Sequence, residues 1–407
     1  MSRRAPLDIV VVGAGVVGAA AALAFARDGF NVALVESRTP PAWEPRSTDS
    51  DRIDLRVYAF APDNAALLED LGVWRDVATA RVQPYRRMRV WDAAGGAELA
   101  FDADAFGRRE LGWIVEHALL VDRLWKALPG AGVQLHCPDS VQSLEQDESG
   151  ATVRLDSGLS LRARLVVAAD GAESKLRSLV GVEASRRDYA QRGLVAFVQS
   201  ERPHDATCWQ RFLPTGPLAF LPFADDAQAP PEALGRTSSI VWTLPEPEAA
   251  RLLEVDEAAF LRELQSAFAE TLGELTRVSR RAAFPLRLQL AKSLLAGRVA
   301  IVGDAAHAVH PLAGQGVNLG LRDVGTLRVT LAQSRRRGAD VGSGDQLMRW
   351  ARGQRSANAV SAYAFDGLNR LFSNDSVAAT LLRGPLLGMA GRLPPLTHAF
   401  WRHAAGR

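Results

Sequence analysis

Residues 302–320, VGDAAHAVHPLAGQGVNLG, gather the groups in this chain that are best placed to do chemistry. Asp304 offers a carboxylate that can accept hydrogen bonds from sugar-like hydroxyls, and Gly303 before it makes a polar turn after a short apolar run. The chain then passes Pro311, after which Gly314 and Gly316 let the backbone come close to a ligand. The helical pattern that follows aims the free N–H groups of Gly316, Val317 and Asn318, and the positive end of its dipole, at whatever sits there. An electron-rich ring that becomes anionic would suit that place. The same residue types also punctuate ordinary strand-to-helix connections, so the reading needs support from other segments.

His307 and His310 in this stretch are acid–base candidates, because imidazole titrates near neutrality. The simpler reading is that they position the loop, since only geometry could bring one to a substrate oxygen. Gln210 and Arg211 could line a pocket, but strand alternation puts them on opposite faces and allows at most one to point inward. Cys137 and Cys208 are too few for a disulfide framework or a metal cluster, and no zinc-type spacing is present.

Two further segments bind nucleotide by pattern. The β-branched run 8–12 (DIVVV) reads as a buried parallel strand, followed by Gly13, Gly15 and Gly18, an alanine-rich helix over 19–28, a second strand over 31–35, and then Glu36. This is a dinucleotide fingerprint in context, with glycines for the turn, the pyrophosphate approach and helix packing, and an acid for a ribose hydroxyl. No second fingerprint follows, so one dinucleotide is held and any other must visit. Residues 165–177 (LVVAADGAESKLR) form another strand, ending at Asp170 and Gly171, then a helix with Ser174 and Arg177; phosphate or ribose binding fits there.

The remainder must position these segments. Residues 54–74 read as an extended stretch carrying Arg56 and then an amphipathic helix, 89–94 and 98–103 as a hairpin, and 113–128 as one helix whose Glu116 and His117 face solvent or a core edge. Alternating runs at 193–199, 207–212, 216–223 and 238–243 look like antiparallel strands of a second unit, with 245–272 helical and 284–289 returning to the nucleotide domain. Residues 321–337 continue as a helix, and 346–407 are largely helical. At 407 residues and 47% hydrophobic content, the chain has ample material for real cores. A net charge of +2 and a pI near 8.7 are too mild for nucleic acid. Residues 9–26 are uncharged behind Arg3 and Arg4, but cleavage or membrane insertion there would destroy the fingerprint, so a cytoplasmic chain without a spanning segment is expected.

Together these residues resemble the single-component FAD-dependent aromatic hydroxylases, the class of para-hydroxybenzoate hydroxylase. GAGVVG with Glu36, Asp170-Gly171 and Gly303-Asp304 are similar to that class's three nucleotide motifs, in order. Within it the resemblance is to the ubiquinone-biosynthesis hydroxylases, carried by DLRVYAF with LLEDLGVW, YAQRGLVAFV, WQRFLPTGPLAFLPF, the long run through VGDAAHAVHPLAGQG, and FDGLNRLF. One departure is WARGQR at 350–355, where the family often has Tyr-x-Arg-x-Arg.

The resemblance implies an α/β fold: a Rossmann-like FAD-binding domain (1–185, lending a hairpin at 86–104, then 285–337), an inserted β-rich substrate domain (186–284), and a C-terminal helical region (338–407). It implies that FAD is held by Gly13, Gly15, Gly18, Glu36, Arg56, Asp170, Gly171, Gly303, Asp304, Pro311, Gly314, Gly316, Val317 and Asn318, with Pro311 and residues 316–318 bordering the reacting ring. NAD(P)H then acts as co-substrate and O₂ hydroxylates a polyprenylated phenol, with no metal. Rival readings are a hydroxylase of another small aromatic, a prenyl reductase, or an FAD-bearing scaffold of a lipid-biosynthesis assembly; a flavin halogenase lacks its W-x-W-x-I-P segment here. A prenylated substrate lies in a membrane or on a carrier. The acid-free stretch 376–407, with Arg383, Arg392 and Arg402, is the expected contact with the inner face of a membrane, unless it packs on the two domains or another subunit. Other ubiquinone-biosynthesis proteins and a second copy of the chain are the remaining expected partners.

Overall fold

The computed structural model describes residues 6–44, 54–93, 95, 98–225, 233–309, 315–342 and 344–372. β1 (Leu7–Val12) and β2 (Val32–Val35) form the buried parallel pair expected from their apolar runs. Between them α1 (Val16–Arg27) starts at Val16 rather than Ala19, because Gly15 already stands as its N-cap. Ala19, Ala20, Ala21, Ala22 and Ala24 have no exposure, which lets the helix lie close on the sheet.

β3 (Val57–Phe60), α2 (Pro62–Asp70), α3 (Trp74–Ala80) and β4 (Gln83–Tyr85) follow. β5 (Arg87–Asp92) and β6 (Leu99–Asp102) make the expected antiparallel hairpin. The expected helix over 113–128 is corrected at its start: β7 (Gly112–Glu116) is a strand, paired antiparallel with β3 and β4, and α4 (His117–Ala127) begins only afterwards. Trp113, Ile114 and Val115 are strand formers whose helical spacing is coincidental. Gly112 admits the pairing, since a Cβ there would lie 2.6 Å from the Phe60 carbonyl oxygen.

β8 (Gln134–His136) extends the first sheet beside β2, and the hairpin of β9 (Val141–Asp147) and β10 (Gly150–Leu155) leads into β11 (Ser160–Ala168), parallel to β1. The short helix α5 (Lys175–Leu179) closes this part.

β12 (Ala184–Ser200), β13 (Thr207–Leu213), β14 (Gly216–Pro222) and β15 (Thr237–Pro245) build a second sheet, which β5 joins in parallel with β13. α6 (Glu246–Glu254) and α7 (Glu257–Ala267) cover its outer face, packing Phe260 and Phe268 against Leu194, Leu218 and Phe220. The helical stretch expected at 245–272 is therefore two helices, and Asp256 caps the second by accepting from Ala259 N at 2.7 Å.

β16 (Leu275–Val278) and β17 (Ala282–Ala291) also pair with β12, so the expected return to the nucleotide domain at 284–289 comes too early. β12 is 17 residues long, and its first half pairs with the second half of β17 as an arm between the two sheets. The chain rejoins the first sheet at β18 (Leu295–Ala296) and β19 (Val299–Ile301), the latter parallel to β11. β20 (His307–Ala308) then reaches back to β17. α8 (Gln315–Arg336) and α9 (Asp345–Phe372) finish the described chain. No helix among the described residues is long and apolar enough to cross a membrane.

Candidate active site

The glycine-rich turn after β1 has three different environments. Gly13 has φ +94°, and a Cβ there would stand 2.3 Å from the Ala169 carbonyl oxygen; one on Gly18 would stand 1.9 Å from that of Gly13. A Cβ on Gly15 would meet nothing within 4 Å, so this glycine borders open space at the start of α1. Glu36, at the end of β2, accepts from Ala14 N at 2.7 Å, while Trp125 Nε1 donates to Ala14 O at 2.8 Å. Both backbone polar groups of Ala14 are thus held. A close turn, an open helix N-terminus and an acid beside it fit the pyrophosphate and ribose of a dinucleotide.

The second motif is mostly internal architecture. Asp170 accepts from Ser174 Oγ at 2.5 Å and Leu176 N at 3.0 Å, and so caps α5. Arg177, in the segment where phosphate or ribose binding was expected, is buried and donates to Ala305 O at 2.7 Å and Ala172 O at 2.9 Å. It ties the second motif to the third. Gly171 has φ +86° and space around it.

Gly303 (φ +61°) opens a single 3₁₀ turn, Gly303–Ala305, that presents Asp304. The Asp304 side chain is reached by solvent yet walled by protein on most sides, as expected of a group lining a deep cleft. That enclosure pushes its carboxyl pKa up. Behind it, buried Asp323 of α8 accepts from Gly303 N at 2.9 Å and His307 Nε2 at 2.6 Å. His307 is a loop-positioning residue here, as its sequence context suggested.

Asn318, in the first turn of α8, uses its side chain to bind Ala61 N (2.9 Å), Asn64 Nδ2 (2.9 Å) and Ala59 O (2.8 Å). With its backbone carbonyl, which accepts from Asn64 Nδ2 at 3.2 Å, it stitches the helix start to β3 and α2. Gly316 and Val317 lie in the same turn. Pro311, Gly314, His310 and the 376–407 segment lie outside the described residues.

Around Asp304 the structure gathers residues that sequence reasoning undervalued. Arg56 lies near enough to lower the Asp304 pKa, and its guanidinium sits 5.8 Å from the centre of the Phe284 ring. Tyr58 Oη is 2.9 Å from His117 Nδ1. Burial, then the nearby Arg56 charge, lowers the His117 pKa to about 4, so the imidazole is neutral at pH 7. Burial raises that of Tyr58. The signal for Tyr58 was available, because β3 alternation puts it on the same side as Phe60, toward the nucleotide domain. His117 was hidden by the mistaken helix start. Glu116, expected at solvent or a core edge, is buried and pairs with Arg81 at 2.7 Å. Among the described residues no cluster of His, Cys, Asp and Glu could hold a metal ion.

Comparison with known proteins decides among the flavin readings. A family profile described as FAD binding domain matches residues 6–346. The protein named ubiquinone hydroxylase UbiL of Rhodospirillum rubrum is 36% identical over 98% of this chain and 89% of its own length. The Escherichia coli protein named 3-demethoxyubiquinol 3-hydroxylase is 34% identical over 98% and 99%.

The chain belongs to the FAD-dependent ubiquinone-biosynthesis hydroxylases.

The human COQ6 monooxygenase, 31% identical over 96% of this chain and 90% of that one, is a more distant member. Among solved structures, the p-nitrophenol 4-monooxygenase PnpA of Pseudomonas putida superposes with a TM-score of 0.74 at 20% identity, covering 97% and 96% of the two chains. That likeness establishes the fold: an FAD-binding sheet, a second sheet and C-terminal helices. As a family member the protein is a flavoprotein monooxygenase that binds FAD and takes NAD(P)H as co-substrate.

Proposed function

We propose that this hydroxylase acts on the ring of a polyprenylated phenol intermediate of ubiquinone biosynthesis. The observation that carries the reading is full-length similarity to proteins named for ubiquinone hydroxylation. It is supported by an apolar cluster in which Leu55, Ala59 and Ile114 pack with Phe197, Cys208 and Leu221 of the second sheet. Bound FAD would accept hydride from NAD(P)H and activate O₂ for insertion into the ring.

The chain's own residues position the components. Gly13, Gly15, Gly18 and Glu36 hold the dinucleotide end, and Asp304 accepts hydrogen bonds from the polyol. Arg56, Asp170 and Gly171 border the path, as Pro311 and Gly314 do on the sequence reading. The N–H groups of Gly316, Val317 and Asn318 stabilise negative charge on the ring that receives hydride. Neutral His117 with Tyr58 adds polar contacts beside Asp304. The apolar walls exclude water.

A prenyl tail favours membrane or carrier over water by about 0.8 kcal/mol per methylene, so the enzyme meets its substrate at a membrane surface or on a lipid carrier. Deleting the gene in its host and identifying the accumulated quinone precursor by mass spectrometry tests the reading. A precursor lacking one ring hydroxyl supports it, and unchanged ubiquinone with no precursor refutes it.

A further inference from the structure

The strand register of the second sheet places one amide in an otherwise apolar row on the face turned toward the nucleotide domain. Gln210 lies opposite Ala219, Ala219 opposite Val241, Val241 opposite Val195, and Val195 opposite Ala282; on its other side Gln210 meets Val90. Its neighbours show which way it points. Trp209 packs on the outer-face core and Arg211 donates to Ala267 O of α7 at 2.7 Å, so Gln210 between them points inward.

This wall lines an opening more than it fills a core. Val195, Ala219, Val241 and Ala282 are only partly buried, and two of them are alanines. The apolar members of the row pack against a cluster that includes Ala59 of β3, whose carbonyl accepts from Asn318 Nδ2 of the α8 first turn. That cluster joins the row to the strand that holds the start of α8.

Gln210 is 7% exposed, and its side-chain amide has no hydrogen-bond partner among the described residues. Its amide atoms are not sealed from solvent, so they are open to pair with a ligand oxygen. No member of the row is charged. The charges around it have partners of their own: Arg56 lies beside Asp304 and over Phe284, and Arg81 is paired with Glu116, while Asp92 sits opposite Phe212 at the end of β5. A ring bearing a carboxylate would bring its charge against this wall without a partner. A neutral ring with a hydroxyl or methoxy group would complete it.

We propose, resting on the hydroxylase reading above, that Gln210 is the specificity-determining residue: it hydrogen-bonds an oxygen substituent of an uncharged phenolic ring and selects against aromatic carboxylates. The test is titration of the FAD-loaded protein with 2-(3-methylbut-2-enyl)phenol and with 4-hydroxybenzoate, followed by the flavin absorbance change. The parent should prefer the prenylphenol. Gln210→Met, close to isosteric, should retain FAD yet bind the prenylphenol about tenfold more weakly, the loss of one hydrogen bond. Gln210→Arg should move the preference toward 4-hydroxybenzoate, a change of ratio that general loosening of the fold would not produce. Parent-like prenylphenol affinity in Gln210→Met, or an unmoved preference in Gln210→Arg, overturns the assignment while leaving the hydroxylase reading in place. An FAD-loaded parent that binds neither phenol and incorporates no oxygen overturns both.

Discussion

His307 Nε2 donates to Asp323 Oδ2 over 2.6 Å at a point where neither side chain reaches solvent. Asp323 also accepts from Gly303 N, Gln354 Nε2 and Asn358 Nδ2. One carboxylate on α8 thus fixes both the turn that presents Asp304 and the packing of α9 behind it.

This pair makes stability depend on pH. Burial alone would lower the His307 pKa, but the charge and hydrogen bond of Asp323 outweigh it and the net shift is upward. A group whose folded pKa exceeds its ordinary value of 6.5 contributes its full stabilisation below that pH and loses it as pH rises through the raised value. The thermal midpoint of the parent should therefore exceed that of His307→Gln most near pH 6, with the gap narrowing toward pH 9. A gap that widens with pH would contradict the pairing.

Gly15 and Gly18 should separate binding from folding. Gly18→Ala drives a Cβ into the Gly13 carbonyl, so it should cost about 1–3 kcal/mol or prevent folding, read by urea denaturation. Gly15→Ala meets no protein atom and should fold like the parent, yet emerge from purification with little FAD. Equal FAD content in Gly15→Ala and the parent would show that the open side of this turn is not the pyrophosphate site.

Arg177→Met should destabilise by about 1–3 kcal/mol for the buried Ala305 carbonyl left unpaired, while Ala172 O keeps its bond from Gln289 Nε2. Arg177→Lys should not restore the loss, because an ammonium lacks the planar fork that spans both oxygens. Unfolding of Arg177→Met at the parent's urea midpoint would refute the bridging role.

The fingerprint residues were legible because each glycine answers a local need: Gly13 a positive φ, Gly18 a helix packed against the turn. Strand existence was legible for the same kind of reason, in the alternation of 207–212 and 238–243. What sequence could not give was pairing at a distance. Trp113 to Val115 look helical until β3 and β4 claim them, and Phe284 looks like a return to the first sheet until β12 proves long enough to hold it. The roles of Arg177, Asp323 and Asn318 depend on carbonyls and amides more than a hundred residues away or behind the site, and no local spacing announces them. Gln210 and Arg211 were separated correctly into opposite faces, but only Arg211's bond to α7 shows which one faces in.

Asp304→Ala should leave the fold intact and release FAD far more readily than Cys208→Ala, since Cys208 lies in the apolar wall. Flavin absorbance after gel filtration measures this, and equal retention in the two variants would remove Asp304 from the cofactor site.

The most direct measurement is isotopic. The FAD-loaded protein is supplied with NAD(P)H, ¹⁸O₂ and 2-(3-methylbut-2-enyl)phenol, and the product is analysed by mass spectrometry. The account predicts a ring-hydroxylated product carrying one oxygen atom from ¹⁸O₂, with NAD(P)H consumption stimulated by the phenol. NAD(P)H oxidation that yields only hydrogen peroxide, or a product whose new oxygen comes from water, would contradict it.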